Sequence, residues 1–207
     1  MKKALIYGLT LAFAVFSASS LVWAKDGKTL FKEKLCVACH GPAGASKTPQ
    51  YPHLAGQNKL YLINQFNAII YGKRELGSTP LMKNHPKLKD FTPQDIDSIA
   101  EYLSGLPRVV TPSGSAADVA KGEALFKNLG CTQCHGAGGK GKGDDPKFLA
   151  YPKLNGQHAD YLFWQMKRIL EGVRTNNHAL KMREQFQGEK LTEKDLHAIA
   201  IYLSNVK

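Results

Sequence analysis

Four cysteines in this chain fall into two tight pairs, and a histidine follows each pair directly. The two segments read Cys-Val-Ala-Cys-His at residues 36–40 and Cys-Thr-Gln-Cys-His at residues 131–135. Two cysteines at this spacing can each form a thioether to one vinyl group of a single porphyrin, and the next histidine then reaches the iron. The pattern therefore predicts two covalently attached haem c groups. The attaching residues would be Cys36, Cys39, Cys131 and Cys134, and the proximal iron ligands His40 and His135.

Three other kinds of site also use paired cysteines, and each is a weaker interpretation here. A zinc ribbon needs its second Cys-x-x-Cys about 15 to 20 residues after the first, whereas these pairs lie 95 residues apart. A thioredoxin-like dithiol needs a βαβ setting, and the sequence contains no convincing alternating strand pattern. A plain disulfide explains neither the histidine nor its repetition. Haem attachment is therefore favoured.

The chain is a tandem repeat. Residues 27–32 match residues 122–127 at the same offset of 95 that separates the cysteine motifs. Five additional residues in the Gly- and Lys-rich loop at 136–147 then change the offset to 100, at which residues 51–57 match residues 151–157. A duplicated chain with a duplicated motif predicts two sites that are built alike.

Hydrophobic periodicity predicts an all-α fold. Residues 58–70 and 158–170 carry apolar side chains at helical spacing. Helix starts also have typical signals, such as a threonine or aspartate before the first turn, and caps are expected at Asp26, Thr92, Asp118 and Thr192. We predict two tandem helical domains, residues 25–106 and residues 117–207, each wrapped round one haem. Residues 107–116, rich in Pro, Ser and Gly, would form the linker.

The repeat also selects candidates for the sixth ligand of each iron. Met82 and Met182 align with each other, 42 and 47 residues after their proximal histidines, in segments predicted as loops before the last helix of each copy. Met166 aligns with Phe66 and is expected to fill the core. A lone methionine usually packs in a core, but a matched pair in loops favours Met82 and Met182 as metal ligands.

The remaining histidines have no counterpart in the other copy. Since neither haem site can require them in both domains, surface positions are expected for His53, His85, His158, His178 and His197. His178 is a special case because it lies four residues before Met182 and can compete with it as a ligand.

Other repeated residues have possible supporting roles around the haems. A metal-bound histidine normally donates its second ring N–H to a carbonyl or carboxylate, and the carbonyls of Pro52 and Pro152 are the candidates; a simple turn is the alternative. Arg74 and Arg174 are candidates for pairing with haem propionates, since arginine suits carboxylates. Packing against the haem edge and packing within the core are equally compatible with Tyr51, Gln57, Tyr151 and Gln157.

The beginning of the chain resembles an export signal. Lys2 and Lys3 precede an apolar run, and residues 22–24 form a plausible cleavage site. The alternative is a retained membrane anchor. Cleavage after Ala24 would reduce the net charge from +11 to +9, because two lysines are lost. We expect a bacterial periplasmic protein, either free or peripherally bound to the membrane, with a mildly basic surface.

With these features together, the whole mature chain resembles the dihaem cytochrome c4 family, built from two class I cytochrome c domains. The resemblance rests on the paired haem motifs, the paired Tyr-Pro-x-Leu-x-Gly-Gln segments, the repeated Gly-x-Arg segments and the aligned methionines. It implies axial ligation by His40 with Met82 and by His135 with Met182, and haem edges that meet near the domain interface. A long Lys-rich loop at residues 140–147 departs from the family pattern and affects the expected docking surface.

The resemblance also implies a function. Members carry single electrons toward terminal oxidases, so redox protein partners such as a quinol-oxidising complex and a terminal oxidase are expected, with no catalytic residues and no small-molecule substrate. Two alternatives stay open: a dihaem peroxidase, and a cytochrome subunit of an oxidase or of a sulfur-oxidising dehydrogenase. Nucleic-acid binding rests on charge alone and is opposed by export.

Overall fold

A computed structural model describes residues 25–143 and residues 145–207; the predicted export signal lies outside the described residues. Throughout these two ranges the regular secondary structure is helical and contains no β-strand, which confirms the predicted all-α fold. The first half contains α1 (Gly27–Glu33), α2 (Val37–His40), α3 (Lys59–Ile70), α4 (Thr79–Lys83) and α5 (Pro93–Ser104). The second half contains α6 (Ala116–Asn128), α7 (Thr132–His135), α8 (Ala159–Leu170), α9 (Ala179–Gln185) and α10 (Glu193–Asn205).

The first and last helices of each half pack against each other. A Cβ atom added to Gly27 would lie 1.9 Å from the Ser98 carbonyl oxygen, and one added to Gly122 would lie 1.9 Å from that of Ala198. Each glycine therefore lets two helix backbones approach closely. The core beside the crossing is formed by Leu30, Phe31, Ile99 and Leu103 in the first half and by Phe126, Leu196, Ile199 and Leu203 in the second.

Three of the four helix caps predicted from the sequence are confirmed. Thr92 and Thr192 each form a complete capping box with the aspartate three residues later, and Asp26 accepts a hydrogen bond from the Thr29 N–H at 3.0 Å. The prediction for Asp118 was wrong. Ser115 is the cap of α6, and Asp118 is the third residue of a capping box that bonds back to it. This box is satisfied at both ends, so α6 begins earlier than expected.

The connecting segment at 107–116 is bonded to both halves. Arg108 donates from Nη1 to the Ala55 carbonyl at 3.0 Å and from Nη2 to the Asn155 carbonyl at 2.5 Å. The Thr111 N–H donates to the Gly156 carbonyl at 3.2 Å. These contacts hold the segment in place against residues of each copy.

The expectation that the unduplicated histidines lie at the surface was wrong for His53 and His158. The two residues are only 2% and 3% exposed, and their rings pack against each other, tilted by 31° with centroids 3.9 Å apart. Each half covers the histidine of the other, a burial that exists only after the two copies have docked.

Among the described residues, no helix has the length and apolar character needed to cross a bilayer.

Candidate haem-binding sites

Each Cys-x-x-Cys-His segment forms a single helical turn. The His40 N–H donates to the Cys36 carbonyl at 2.9 Å, and the His135 N–H donates to the Cys131 carbonyl at 3.0 Å. In a helix, positions three and four residues apart lie on one face, so each turn directs both cysteines and the histidine toward the same side. Among the described residues, none of the four cysteines forms a disulfide. The geometry therefore suits attachment of one planar group at each turn.

Both histidines predicted as proximal ligands are hydrogen-bonded to a proline carbonyl. His40 Nδ1 lies 3.1 Å from the Pro52 oxygen, and His135 Nδ1 lies 3.0 Å from the Pro152 oxygen. A carbonyl can only accept, so Nδ1 carries the proton and Nε2 is left with its lone pair. Burial lowers the pKa of both imidazoles below the ordinary value, although the carbonyl bond opposes this shift. The ring is therefore neutral, which is the form that binds a metal.

The two aligned methionines occupy matched places, but not in loops. Met82 lies in α4 and Met182 in α9, so the predicted loop conformation was wrong. The Met82 N–H bonds to the Ser78 carbonyl at 3.4 Å and the Met182 N–H to the His178 carbonyl at 3.2 Å. The two helices have only five and seven residues, and helices this short are weakly encoded in sequence.

The second half contains a cavity of about 290 Å³, which is lined by the residues predicted for its haem site. Its lining includes both motif cysteines, the proximal histidine, the aligned methionine and the repeated arginine: Cys131, Cys134, His135, Met182 and Arg174. Most of the remaining wall is apolar, with Phe126, Leu162, Ile169, Ile199 and Leu203 among its residues. Tyr61 and Gln65 of the first half also line this cavity. The site is therefore closed partly by the other copy.

The repeated arginines form a buried network across the interface. Arg74 donates to Gln65 Oε1 at 3.0 Å in its own half and to Tyr161 Oη and Gln165 Oε1 of the other half at 2.9 and 3.0 Å. Arg174 makes the mirrored set of bonds, to Gln165 Oε1 at 2.8 Å, Gln65 Oε1 at 2.9 Å and Tyr61 Oη at 3.3 Å. Both side chains are buried. Tyr61 and Gln65 align with Tyr161 and Gln165 at the offset of 100. The repetition marks these residues, but nothing in the sequence indicates that their partners lie in the other copy.

This network leaves two buried positive charges to be balanced. In the ranges 25–143 and 145–207, neither guanidinium forms a salt bridge with an aspartate or glutamate, and Arg74 Nε has no hydrogen-bond partner there. A buried charge is costly unless it is paired. The propionates of two haems would supply the missing negative charges, so these residues fit the predicted group.

The residues with open alternatives now have definite positions. Gln57 and Gln157 bond to the backbone of the opposite half, whereas Tyr51 and Tyr151 lie edge-on to His40 and His135, with ring centroids 6.2 and 6.3 Å apart. The His178 ring packs against Tyr151, tilted by 30° with ring centroids 4.6 Å apart, and lines the cavity of the second half. Its competition with Met182 stays a prediction.

Known proteins resemble this chain in sequence and in fold. A family model described as cytochrome c matches residues 24–107 and again residues 119–207. A cytochrome c4 of Pseudomonas aeruginosa is 37% identical over 183 residues, covering 84% of this chain and 85% of that protein. The chain belongs to the cytochrome c4 family. A solved structure of reduced cytochrome c4 from Pseudomonas stutzeri aligns with a TM-score of 0.71 and 31% identity, covering 89% of this chain and all of that one.

Family membership establishes the coarse function. The chain carries two covalently bound haem c groups and transfers electrons as a redox partner of other proteins. It is an electron carrier rather than an enzyme, so the dihaem peroxidase interpretation is wrong. One further relative, from Stutzerimonas stutzeri, is called a thiosulfate dehydrogenase electron acceptor. It is 37% identical over 200 residues, covering 88% of this chain and 87% of that protein.

Proposed function

We propose that this cytochrome c4 relative is a periplasmic one-electron carrier with two similar sites in consecutive domains. One domain spans residues 25–106 and the other residues 117–207. The haems are attached at Cys36 with Cys39 and at Cys131 with Cys134, and the axial pairs are His40 with Met82 and His135 with Met182. The observation that carries the proposal is the matched bond from each proximal histidine to a proline carbonyl, 3.1 Å in one half and 3.0 Å in the other.

The chain's residues would perform three tasks at each site. A bound haem supplies an iron that gains and loses one electron. The Pro52 and Pro152 carbonyls fix the proximal rings and raise their basicity. The apolar walls exclude water from the iron and limit the solvent reorganisation that accompanies each electron transfer. Arg74 and Arg174, already buried, would hold the propionates near the interface and bring the two haem edges together.

The proposed partners are redox proteins. A quinol-oxidising complex would donate electrons and a terminal oxidase would accept them, with the lysine-rich surface steering the carrier toward acidic partners. Export to the periplasm is supported by the signal-like residues 1–24, and peripheral association with the membrane is part of the same proposal. A second candidate donor is a sulfur-oxidising dehydrogenase, favoured by the relative from Stutzerimonas stutzeri.

The ligand assignment has a direct spectroscopic test. Ferric haem with a methionine ligand shows a near-infrared charge-transfer band, and the wild-type protein should show this band for both haems. Met82→Ala and Met182→Ala should each remove half of it, and Met166→Ala, the remaining methionine of the mature chain, should leave it unchanged. If neither single variant loses a band, the assignment of Met82 and Met182 is wrong.

The donor can be identified by kinetics. The oxidised protein is mixed in stopped flow with a quinol-oxidising complex and quinol, or with thiosulfate dehydrogenase and thiosulfate. The physiological donor should reduce it faster, and the rate should fall as salt screens the steering charges. If thiosulfate dehydrogenase reduces the protein faster, the proposal of a quinol-oxidising complex as the donor is wrong.

A further inference from the structure

The peptide group between Pro52 and His53 is hydrogen-bonded at both ends. Its carbonyl oxygen lies 3.1 Å from His40 Nδ1. Its N–H donates to Oε1 of Gln157, from the other half, at 2.8 Å. One peptide group thus connects the proximal histidine of the first site with a glutamine of the second domain.

The second site has the same arrangement in reverse. The Pro152 carbonyl lies 3.0 Å from His135 Nδ1, and the N–H of Lys153, in the same peptide group, donates to Gln57 Oε1 at 2.7 Å. The arrangement occurs twice, although the residue that supplies the N–H is His53 in one copy and Lys153 in the other. The backbone carries the connection, so the side chain at this position is free to differ.

Each glutamine is held firmly enough to act on the peptide. Gln157 Nε2 donates to the His53 carbonyl at 2.9 Å, and Gln57 Nε2 donates to the Lys153 carbonyl at 2.8 Å. Each Oε1 also accepts a hydrogen bond from the backbone N–H of the following residue. His158 donates to Gln157 Oε1 at 3.1 Å, and Asn58 donates to Gln57 Oε1 at 2.9 Å. Both glutamine side chains are 4% exposed. Water therefore competes little for these bonds.

Hydrogen bonds in a chain polarise one another. An N–H that donates to glutamine pushes electron density onto its own carbonyl oxygen, which then accepts more strongly from the histidine. A stronger acceptor at Nδ1 raises the basicity of the ring toward the iron. A more basic ligand stabilises the ferric state and lowers the reduction potential.

We propose that Gln157 tunes the haem held by His40, and that Gln57 tunes the haem held by His135. Each glutamine is a positioning residue that acts through one peptide group of the opposite domain. The inference rests on the proposed assignment of His40 and His135 as iron ligands. It makes the potential of each haem depend on the contact with the other domain.

Leucine variants of the full, haem-loaded protein test the crossed relation. In Gln157→Leu the potential of the first haem should rise, and the His40 Nδ1–H resonance of the reduced protein should move upfield as its hydrogen bond weakens. The second haem and His135 should stay unchanged. In Gln57→Leu the potential of the second haem should rise and the His135 Nδ1–H resonance should move upfield, while the first haem and His40 stay unchanged. Gln50→Leu is the control, because Gln50 is exposed and bonds to Ser78 Oγ instead.

Potentials are read by spectroelectrochemical titration and assigned through the haem methyl resonances of each domain. Equal shifts at both haems, a shift in the glutamine's own domain, or unmoved histidine N–H resonances would overturn the proposal. If the leucine variants do not fold, Gln157→Asn and Gln57→Asn keep the amide but shorten the side chain by one methylene and draw the acceptor oxygen away from the peptide N–H. The opposite domain's histidine resonance should then move upfield and that haem's potential should rise; no movement overturns the proposal.

The proposed function and this inference fail in different ways. A wild-type protein that lacks histidine–methionine ligation would contradict the assignment of the ligands. A wild-type protein with both normal haems, combined with variants that show no crossed shift, would contradict only the tuning by the glutamines.

Discussion

The two halves of this cytochrome c4 relative are alike at their sites and differ at one part of their junction, where two histidines packed against each other have no counterpart in the other copy. His40 and His135 bond to their proline carbonyls at distances that differ by only 0.1 Å, being 3.1 and 3.0 Å. At the junction, His53 Nε2 lies 2.8 Å from Thr111 Oγ1, and the His53 ring packs against that of His158. The aligned residues of the other copies are Lys153 and Asn58.

This difference shows what an internal repeat can and cannot identify. A residue needed by both sites must occur in both copies, and the motif cysteines, the proposed proximal histidines and the proposed methionine ligands do. The junction exists once, so the two surfaces that form it can diverge as long as they remain complementary. Filtering by repetition therefore finds the sites and overlooks His53 and His158, which are buried because the domains meet there.

The largest loss of stability is expected from substitutions at the two helix crossings. The same substitution should destabilise the two halves equally. Gly27→Ala and Gly122→Ala each place a Cβ 1.9 Å from a backbone oxygen. Such overpacking should lower the free energy of unfolding by about 3 kcal/mol or more, measured by denaturant unfolding of the haem-loaded protein. Gly105→Ala is the matched control, because its nearest neighbour would lie at 3.7 Å. Gly27→Ala with the stability of this control would contradict the crossing geometry.

A smaller effect should separate the halves by pH. Burial, followed by the charges of His158 and Arg108, lowers the pKa of His53 from 6.5 to about 4. Burial also lowers the pKa of His158 below its ordinary value, although the hydrogen bond to the Ser46 carbonyl and the nearby Asp160 carboxylate oppose this shift. His53 therefore takes up a proton near pH 6.5 in the unfolded state but only near pH 4 in the folded state. The folded state is fully stabilised above pH 6.5, and this contribution to the free energy of unfolding is lost as the pH falls from 6.5 to 4.

His53→Gln should therefore flatten the fall in stability between pH 6.5 and 4, by at most ~3 kcal/mol. The measurement is thermal or denaturant unfolding across this pH range. His85→Gln, at an unburied position in the first half, is the control and should leave the slope unchanged. Identical slopes in the wild type and His53→Gln would show that the buried pair does not make the junction sensitive to acid.

The smallest effect concerns the caps of the last helices, where the halves should again agree. Thr92→Ala and Thr192→Ala each remove one side of a capping box, which should lower the free energy of unfolding by about 1 kcal/mol in each case. Thr92→Ser and Thr192→Ser keep the hydroxyl and should remain close to wild type. A loss confined to one copy would mean that the two boxes are not equivalent.

Predictions from local patterns were the most reliable. The helix caps at Asp26, Thr92 and Thr192 depend on residues three apart, so they can be identified without a tertiary structure. Asp118 was misassigned because Ser115 offers a better cap within the same few residues. The helical conformation at Met82 and Met182 was missed because helices this short depend on packing more than on propensity.

The sequence by itself determined the cofactor chemistry, the number of sites and the pairing of equivalent residues. These follow from covalent spacing and from comparison of one copy with the other. Only the tertiary structure decided which residues of one copy contact the other, including Gln57, Gln157 and the paired arginines. Such contacts join residues about 100 positions apart, and they depend on how two folded surfaces dock, which neither hydrophobic periodicity nor motif spacing encodes.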